Sequence, residues 1–149
     1  MDQNRSPLVV HLAMTVAVVL CISGCGAGQA KQDAERVADD YFAAAGAGDI
    51  SRVLKLYDTA FYRVISRDKW AESYAHIRQK LGKPIQHSLQ TWYVMNTVGT
   101  SESGTTVTLV YDVKYERASG TEALGVFFPR GEPTGRIRAH RFNSDALTP

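Results

Sequence analysis

The side chains in this chain that could do chemistry are a few carboxylates, the histidines, a run of arginines and seven tyrosines. Their spacing decides what each can do. Asp39 and Asp40 are adjacent in a helical pattern, so their side chains diverge and cannot share a proton. Asp112 falls on the polar side of an alternating stretch. A general base there would need a dry pocket, whereas a solvated sheet residue needs nothing. His76, His87 and His140 are widely separated, with no His-x-x-x-His pair, and no zinc site is expected of them. No Gly-x-Ser-x-Gly elbow marks a serine nucleophile. Arg136, Arg138 and His140 alternate, so a strand would put all three on one face, with Arg130 and Arg141 nearby. Such a patch could meet anionic headgroups, cell-wall polymers or an acidic partner. Its simpler use is a charged edge strand that blocks unwanted pairing. No catalytic residue, metal or cofactor is assigned.

The first residues decide where this chemistry would be placed. Residues 1–7 are polar and carry Asp2 and Arg5, and 8–22 are largely apolar, broken by His11 and Thr15. The run is shorter than the roughly 20 residues that span a bilayer. It ends in Ser-Gly-Cys-Gly-Ala-Gly, which is poor helix material. Ile22-Ser23-Gly24-Cys25 resembles the lipobox of bacterial lipoproteins: an aliphatic residue, two small residues, then a cysteine whose thiolate can take a thioether-linked lipid. The resemblance implies cleavage between Gly24 and Cys25, and lipidation of Cys25. The protein would then be held on the extracytoplasmic side of the cell membrane or outer membrane. An ordinary secretory signal cut nearby is the alternative, as is an uncleaved membrane helix. On the lipoprotein reading Cys21 leaves with the leader and Cys25 carries lipid, so the domain has no disulfide and relies on its core. One acid and one base leave with the leader, and the formal charge of +2 is unchanged. That is no electrostatic footprint for nucleic acid.

Residues 25–30 are then the lipidated cysteine and a flexible tether reaching at most about 17 Å, and 31–147 a single domain. Ala34, Val37, Ala38, Tyr41, Phe42 and Ala45 form one apolar stripe, which predicts a helix over 31–45. Asp49 can cap a second helix over 50–57, with Val53, Leu54 and Tyr57 inward. Residues 59–65 are β-branched and aromatic, and predict an edge strand or irregular connector. Ser66 caps a third helix over 67–81, with Trp70, Tyr74, Ile77 and Leu81 on one face, Gly82 as C-cap and Pro84 as stop. Beyond this the period changes to two, predicting strands over 88–98, 105–117, 121–128 and 135–142, joined by short glycine-bearing turns. In the second of these, Val107, Leu109, Tyr111, Val113 and Tyr115 point one way. The expected class is α+β, with N-terminal helices on one face of a curved antiparallel four-stranded sheet.

The order of elements, the helix ending at Leu81-Gly82, the long 107–115 strand and the closing Phe142-Asn143-Ser144-Asp145-Ala146-Leu147 together carry a second resemblance. They are similar to small bacterial lipoproteins of the nuclear-transport-factor-2-like, cystatin-like superfamily. That resemblance implies a cone-shaped sheet with a cavity at its open end. Tyr111 and Tyr115 would either line it, facing helices that carry Tyr41, Trp70 and Tyr74, and hold a small amphipathic ligand, or form a tyrosine-rich margin of the core with hydroxyls reaching the rim. Two function classes follow. One is a membrane-anchored envelope module that binds a small molecule or acts as a scaffold for an envelope protein, as a monomer or weak dimer. The other is an envelope enzyme of the isomerase or dehydratase type, which would use a carboxylate base and a tyrosine donor inside the cone.

Overall fold

The computed structural model describes residues 25–99 and 102–148, and the leader with its lipobox residues Ile22 to Gly24 lies outside them. Four helices come first: α1 (Cys25–Ala47), α2 (Ile50–Lys55), α3 (Thr59–Val64) and α4 (Arg67–Leu81). Four strands follow: β1 (Pro84–Thr97), β2 (Gly104–Tyr115), β3 (Ser119–Pro129) and β4 (Arg136–Asn143), with a 3-10 turn at Asp145–Leu147. The strands form an antiparallel meander in the order β1-β2-β3-β4. This is the expected α+β arrangement of helices on one face of an open, curved sheet. Val107, Leu109, Tyr111, Val113 and Tyr115 are all buried, while their neighbours on β2 are at least partly exposed. Irregular pairing near Pro84 and Leu89 in β1, and at Arg138 in β4, bends the outer strands.

Four expectations need correction. The stretch 26–30, expected as a flexible tether, is the first turn and a half of α1. Once the amphipathic part of the helix is nucleated, extension adds one hydrogen bond per residue fixed. Pairs one turn apart, Gln29 to Asp33 and Lys31 to Glu35, brace it. The segment 59–65, expected as a strand or connector, is helical at Thr59–Val64 because the Asp58 carboxylate caps the Ala60 amide. Its edge role passes to Tyr57 instead, which pairs in parallel with Ile137. The second helix therefore ends at Lys55 rather than 57. Pro84 opens β1 instead of merely stopping α4, a position a proline can take because a strand's first residue need not donate to the ladder.

The core lies between α1, α4 and the covered face of β2 and β3, with Ala34, Ala38, Val53, Leu81, Leu109, Leu124 and Ile137 among its fully buried members. At Gly82 the backbone has φ 80°, and a Cβ there would come within 2.7 Å of the Glu116 Cβ. This close approach lets the β2–β3 turn clamp onto the α4–β1 connection. Arg117 donates its amide to the Leu81 carbonyl, and Glu116 donates its amide to that of Lys83. Among the described residues, no helix is long and apolar enough to cross a membrane.

Candidate functional site

At the centre of the core sits Glu122, with none of its side chain exposed. On β3 it keeps phase with Leu124 and Val126, so its strand position forces it inward. Four side chains donate to it. Tyr41 Oη reaches Oε2 at 2.6 Å and Tyr115 Oη reaches Oε1 at 2.6 Å. Arg78 Nη2 lies 3.0 Å from Oε1, and His140 Nε2 lies 2.9 Å from Oε2. Each donor comes from a different element. Tyr41 belongs to the α1 stripe. Arg78 stands one turn beyond Tyr74 on α4, so the two share a face. Tyr115 ends β2, and His140 is on β4.

A second layer closes around these groups. Tyr74 donates to the Tyr41 oxygen at 3.4 Å, and Arg78 Nη2 also reaches that oxygen at 3.0 Å. The Arg78 guanidinium lies 4.8 Å from the Tyr74 ring centroid and 5.2 Å from those of Tyr115 and Phe142, within range of cation–π attraction. Tyr57 Oη and His140 Nδ1 are 2.6 Å apart. An ionised carboxylate can only accept, so His140 presents Nε2–H to Glu122 and takes the Tyr57 proton donor at Nδ1. The result is a relay from Tyr57 through neutral His140 to Glu122, with Arg78 as the counter-charge.

Burial alone would raise the Glu122 carboxyl, but the hydrogen bond from His140 and the Arg78 charge outweigh it and hold it near 2. Burial pushes His140 down from its ordinary 6.5, against the pull of Glu122. Burial and then the Glu122 charge drive Tyr41 and Tyr115 well above the usual phenol range. The pH consequences follow in sign. Both Glu122 and His140 titrate lower when folded, so each contributes stability that is complete above its unfolded value and lost as pH falls. Acid loss of the fold is expected in two stages: a first decline below about pH 6.5 from His140, and a steeper one below about pH 4.5 from Glu122. His140→Gln, which can still donate to Glu122 and accept from Tyr57, should remove the first stage and leave the second. Melting temperature followed from pH 8 to 3 checks this, and an unchanged profile between pH 7 and 5 would contradict it.

Of the residues singled out from sequence, Tyr41, Tyr74 and Tyr115 come together here. Their hydroxyls engage one another, Glu122 and Arg78 rather than an open space. Tyr111 is buried apart from them, edge-on to Phe42, on which His87 stacks at 4.0 Å. Trp70 packs against Tyr57, Phe61 and His140. The expected patch of Arg136, Arg138 and His140 is not one surface. Val126 pairs with Ile137 and Gly125 with Ala139, leaving Arg138 as the extra residue of a bulge. That bulge shifts the phase by one and turns His140 inward, where its side chain is fully buried. Arg138 instead binds Asp58 Oδ2 through Nε at 3.0 Å and Nη2 at 2.6 Å, and lies over the Phe127 ring. Arg136 donates to the Lys55 carbonyl. The sequence reading missed Glu122 and Arg78 altogether. The signal for Glu122 was present, as a charge in phase with Leu124 and Val126 on a strand whose inward face is otherwise apolar.

What this arrangement can do chemically is limited by access. Glu122 and His140 have the makings of an acid–base pair, yet both side chains are sealed, and the buried Arg78 Nε and Trp70 Nε1 beside them have no hydrogen-bond partner. Among the described residues, no cluster of three His, Cys, Asp or Glu side chains is grouped to hold a metal. The network comes nearest to solvent at Arg78, whose side chain is 12% exposed, beside the buried Tyr74. These two residues line a cleft of about 330 Å³ between the end of α1, α2 and α4.

No protein-family profile matches the chain, and no curated protein matches it. Among solved structures, one described as "Structure of Bdellovibrio bacteriovorus Bd1075" is similar, with a TM-score of 0.50 and 15% sequence identity. The match covers 79% of this chain and 41% of that one, so the chain spans less than half the length of this structural neighbour. At that identity the likeness carries the fold alone. The architecture is consistent in outline with the nuclear-transport-factor-2-like, cystatin-like class.

Proposed function

We propose that this chain is a non-catalytic binding module of the bacterial cell envelope, anchored by lipid on Cys25. It would belong to the nuclear-transport-factor-2-like lipoproteins that its sequence resembles. The observation that carries the reading is the sealed state of Glu122 and His140. The groups best suited to acid–base work cannot meet a substrate, whereas a cleft lies open beside them at Tyr74 and Arg78. The enzymatic alternative would require the aromatic core to open. A buried carboxylate bonded by four donors supports a rigid wall for a neighbouring site better than a catalytic base. The lipobox-like Ile22-Ser23-Gly24-Cys25 supports the address, since a lipidated cysteine there would place the domain at the membrane surface.

Two measurements test this. Cys25→Ser is expected to abolish fatty-acid labelling and to move the protein from the membrane fraction to the soluble fraction, or leave it as an unprocessed precursor. Two chains hold firmly where one holds only marginally. Equal labelling of variant and wild type would overturn the anchor. Native mass spectrometry of protein extracted gently from its own envelope should show a retained small molecule. Its absence, together with turnover of an envelope metabolite, would favour the enzyme.

A further inference from the structure

We infer that the cleft beside Arg78 is a binding site for a small amphiphile with a single carboxylate head and a short apolar body. The inference rests on reading the chain as a binding module, and it names the ligand class. The cleft holds about 330 Å³, at the lower end of the range for ligand pockets. Its lining includes the apolar Ile50, Val53 and Ala75. It also includes the cationic Arg78, Lys83 and Arg117, with Glu116 among them, and Arg78 shares a face of α4 with Ala75.

Charge decides the class. Arg78 is already committed to Glu122 at 3.0 Å. Of the remaining lining charges, two are positive and one is negative. Glu116 accepts the Lys83 backbone amide at 3.0 Å, and Arg117 donates to the Gln79 carbonyl. Among the described residues neither Lys83 nor Arg117 has a carboxylate within ion-pair distance. One positive charge is thus uncompensated at a rim where both side chains are exposed. A monoanionic head placed there would neutralise it while its body lies on Ile50 and Ala75. The rim is also fixed in place. The Gly82 close approach and the two backbone bonds from Glu116 and Arg117 tie the β2–β3 turn to the end of α4, so Lys83 and Arg117 are held across one opening. A rim built in advance lowers the ordering cost of binding.

The test uses the full chain in detergent and radiolabelled 4-phenylbutanoate in equilibrium dialysis, with 4-phenylbutanamide as the uncharged counterpart. Ala75→Trp, at an exposed helical position, fills the cleft without entering the core and supplies the background from detergent. Wild type should bind the acid saturably at one site per chain, and Ala75→Trp should not. The amide should bind at least about tenfold more weakly, the weight of one charge-assisted contact. The Lys83→Gln, Arg117→Gln double variant should lose about tenfold for the acid and nothing for the amide. Equal affinity for acid and amide, or no difference between wild type and Ala75→Trp, would overturn the inference. If protein from its own envelope carries an uncharged molecule that Ala75→Trp excludes, the carboxylate class fails while the binding-module reading stands.

Discussion

Glu122→Ala is expected to cost the domain about 3–5 kcal/mol, the toll of breaking a buried ion pair by removing one partner. The loss is large against the 5–15 kcal/mol that holds a typical domain together. Its cause is what remains behind. Arg78 keeps a buried charge whose partner is gone, and the Tyr41 and Tyr115 hydroxyls and the His140 Nε2–H lose their common acceptor. Glu122→Gln should be milder, because an amide oxygen still accepts, but it leaves the Arg78 charge uncompensated. The double change Glu122→Leu with Arg78→Met removes both charges and should be less damaging than the two single changes added together. Urea melts of wild type, the single Glu122→Leu and Arg78→Met variants and the double variant give the coupling directly. A Glu122→Ala protein that melts within a few degrees of wild type would show that the network is ornamental. Strict additivity would show that Arg78 and Glu122 do not depend on each other.

The second large effect is expected at Leu109, which is fully buried at the middle of β2 between Trp92 and Leu124 in register. Leu109→Asp places an unpaired carboxylate among aliphatic side chains, at several kcal/mol, and should abolish a cooperative thermal transition. Three residues on, Asp112 faces solvent across from Ser88 and Thr121. Asp112→Leu should change stability by no more than about 0.5 kcal/mol. Far-UV circular dichroism melts of both variants check the pair. A cooperative Leu109→Asp protein would mean that this strand's covered side is not the core.

These two positions also mark how far the sequence reaches. Leu109 was legible because alternation is a local property. A strand with Val107, Leu109, Tyr111, Val113 and Tyr115 in phase must bury that side, whatever it packs on. The helices of 31–45 and 67–81 were legible for the same reason at a period of 3.6, and their capping residues Ser66 and Gly82 are local chemistry. Where a prediction failed, a non-local or competing term had won. The Asp58 cap overrode the β-propensity of 59–65. Helix propagation absorbed Gly26 and Gly28, which in isolation look like tether.

The site divides along the same line. The sequence contained Tyr41, Tyr74 and Tyr115 as inward-facing residues, and their phase was enough to bury them. It could not say that they meet, because they lie on three elements far apart in the chain and converge through the packing of two helices onto a sheet. Nor could it give His140 its side. One inserted residue at Arg138 inverts the alternation of β4, and a bulge is decided by pairing with β3 rather than by the sequence of β4 itself. Glu122 shows both limits at once. Its phase on β3 made it inward from sequence alone, which by itself describes an unsatisfied buried charge. Only the tertiary structure supplies Arg78, His140 and two tyrosines around it, and turns a forbidden position into the centre of the core. The physical reason is that burying a carboxylate becomes tolerable when enough donors arrive together, and their arrival depends on long-range packing that no local period encodes.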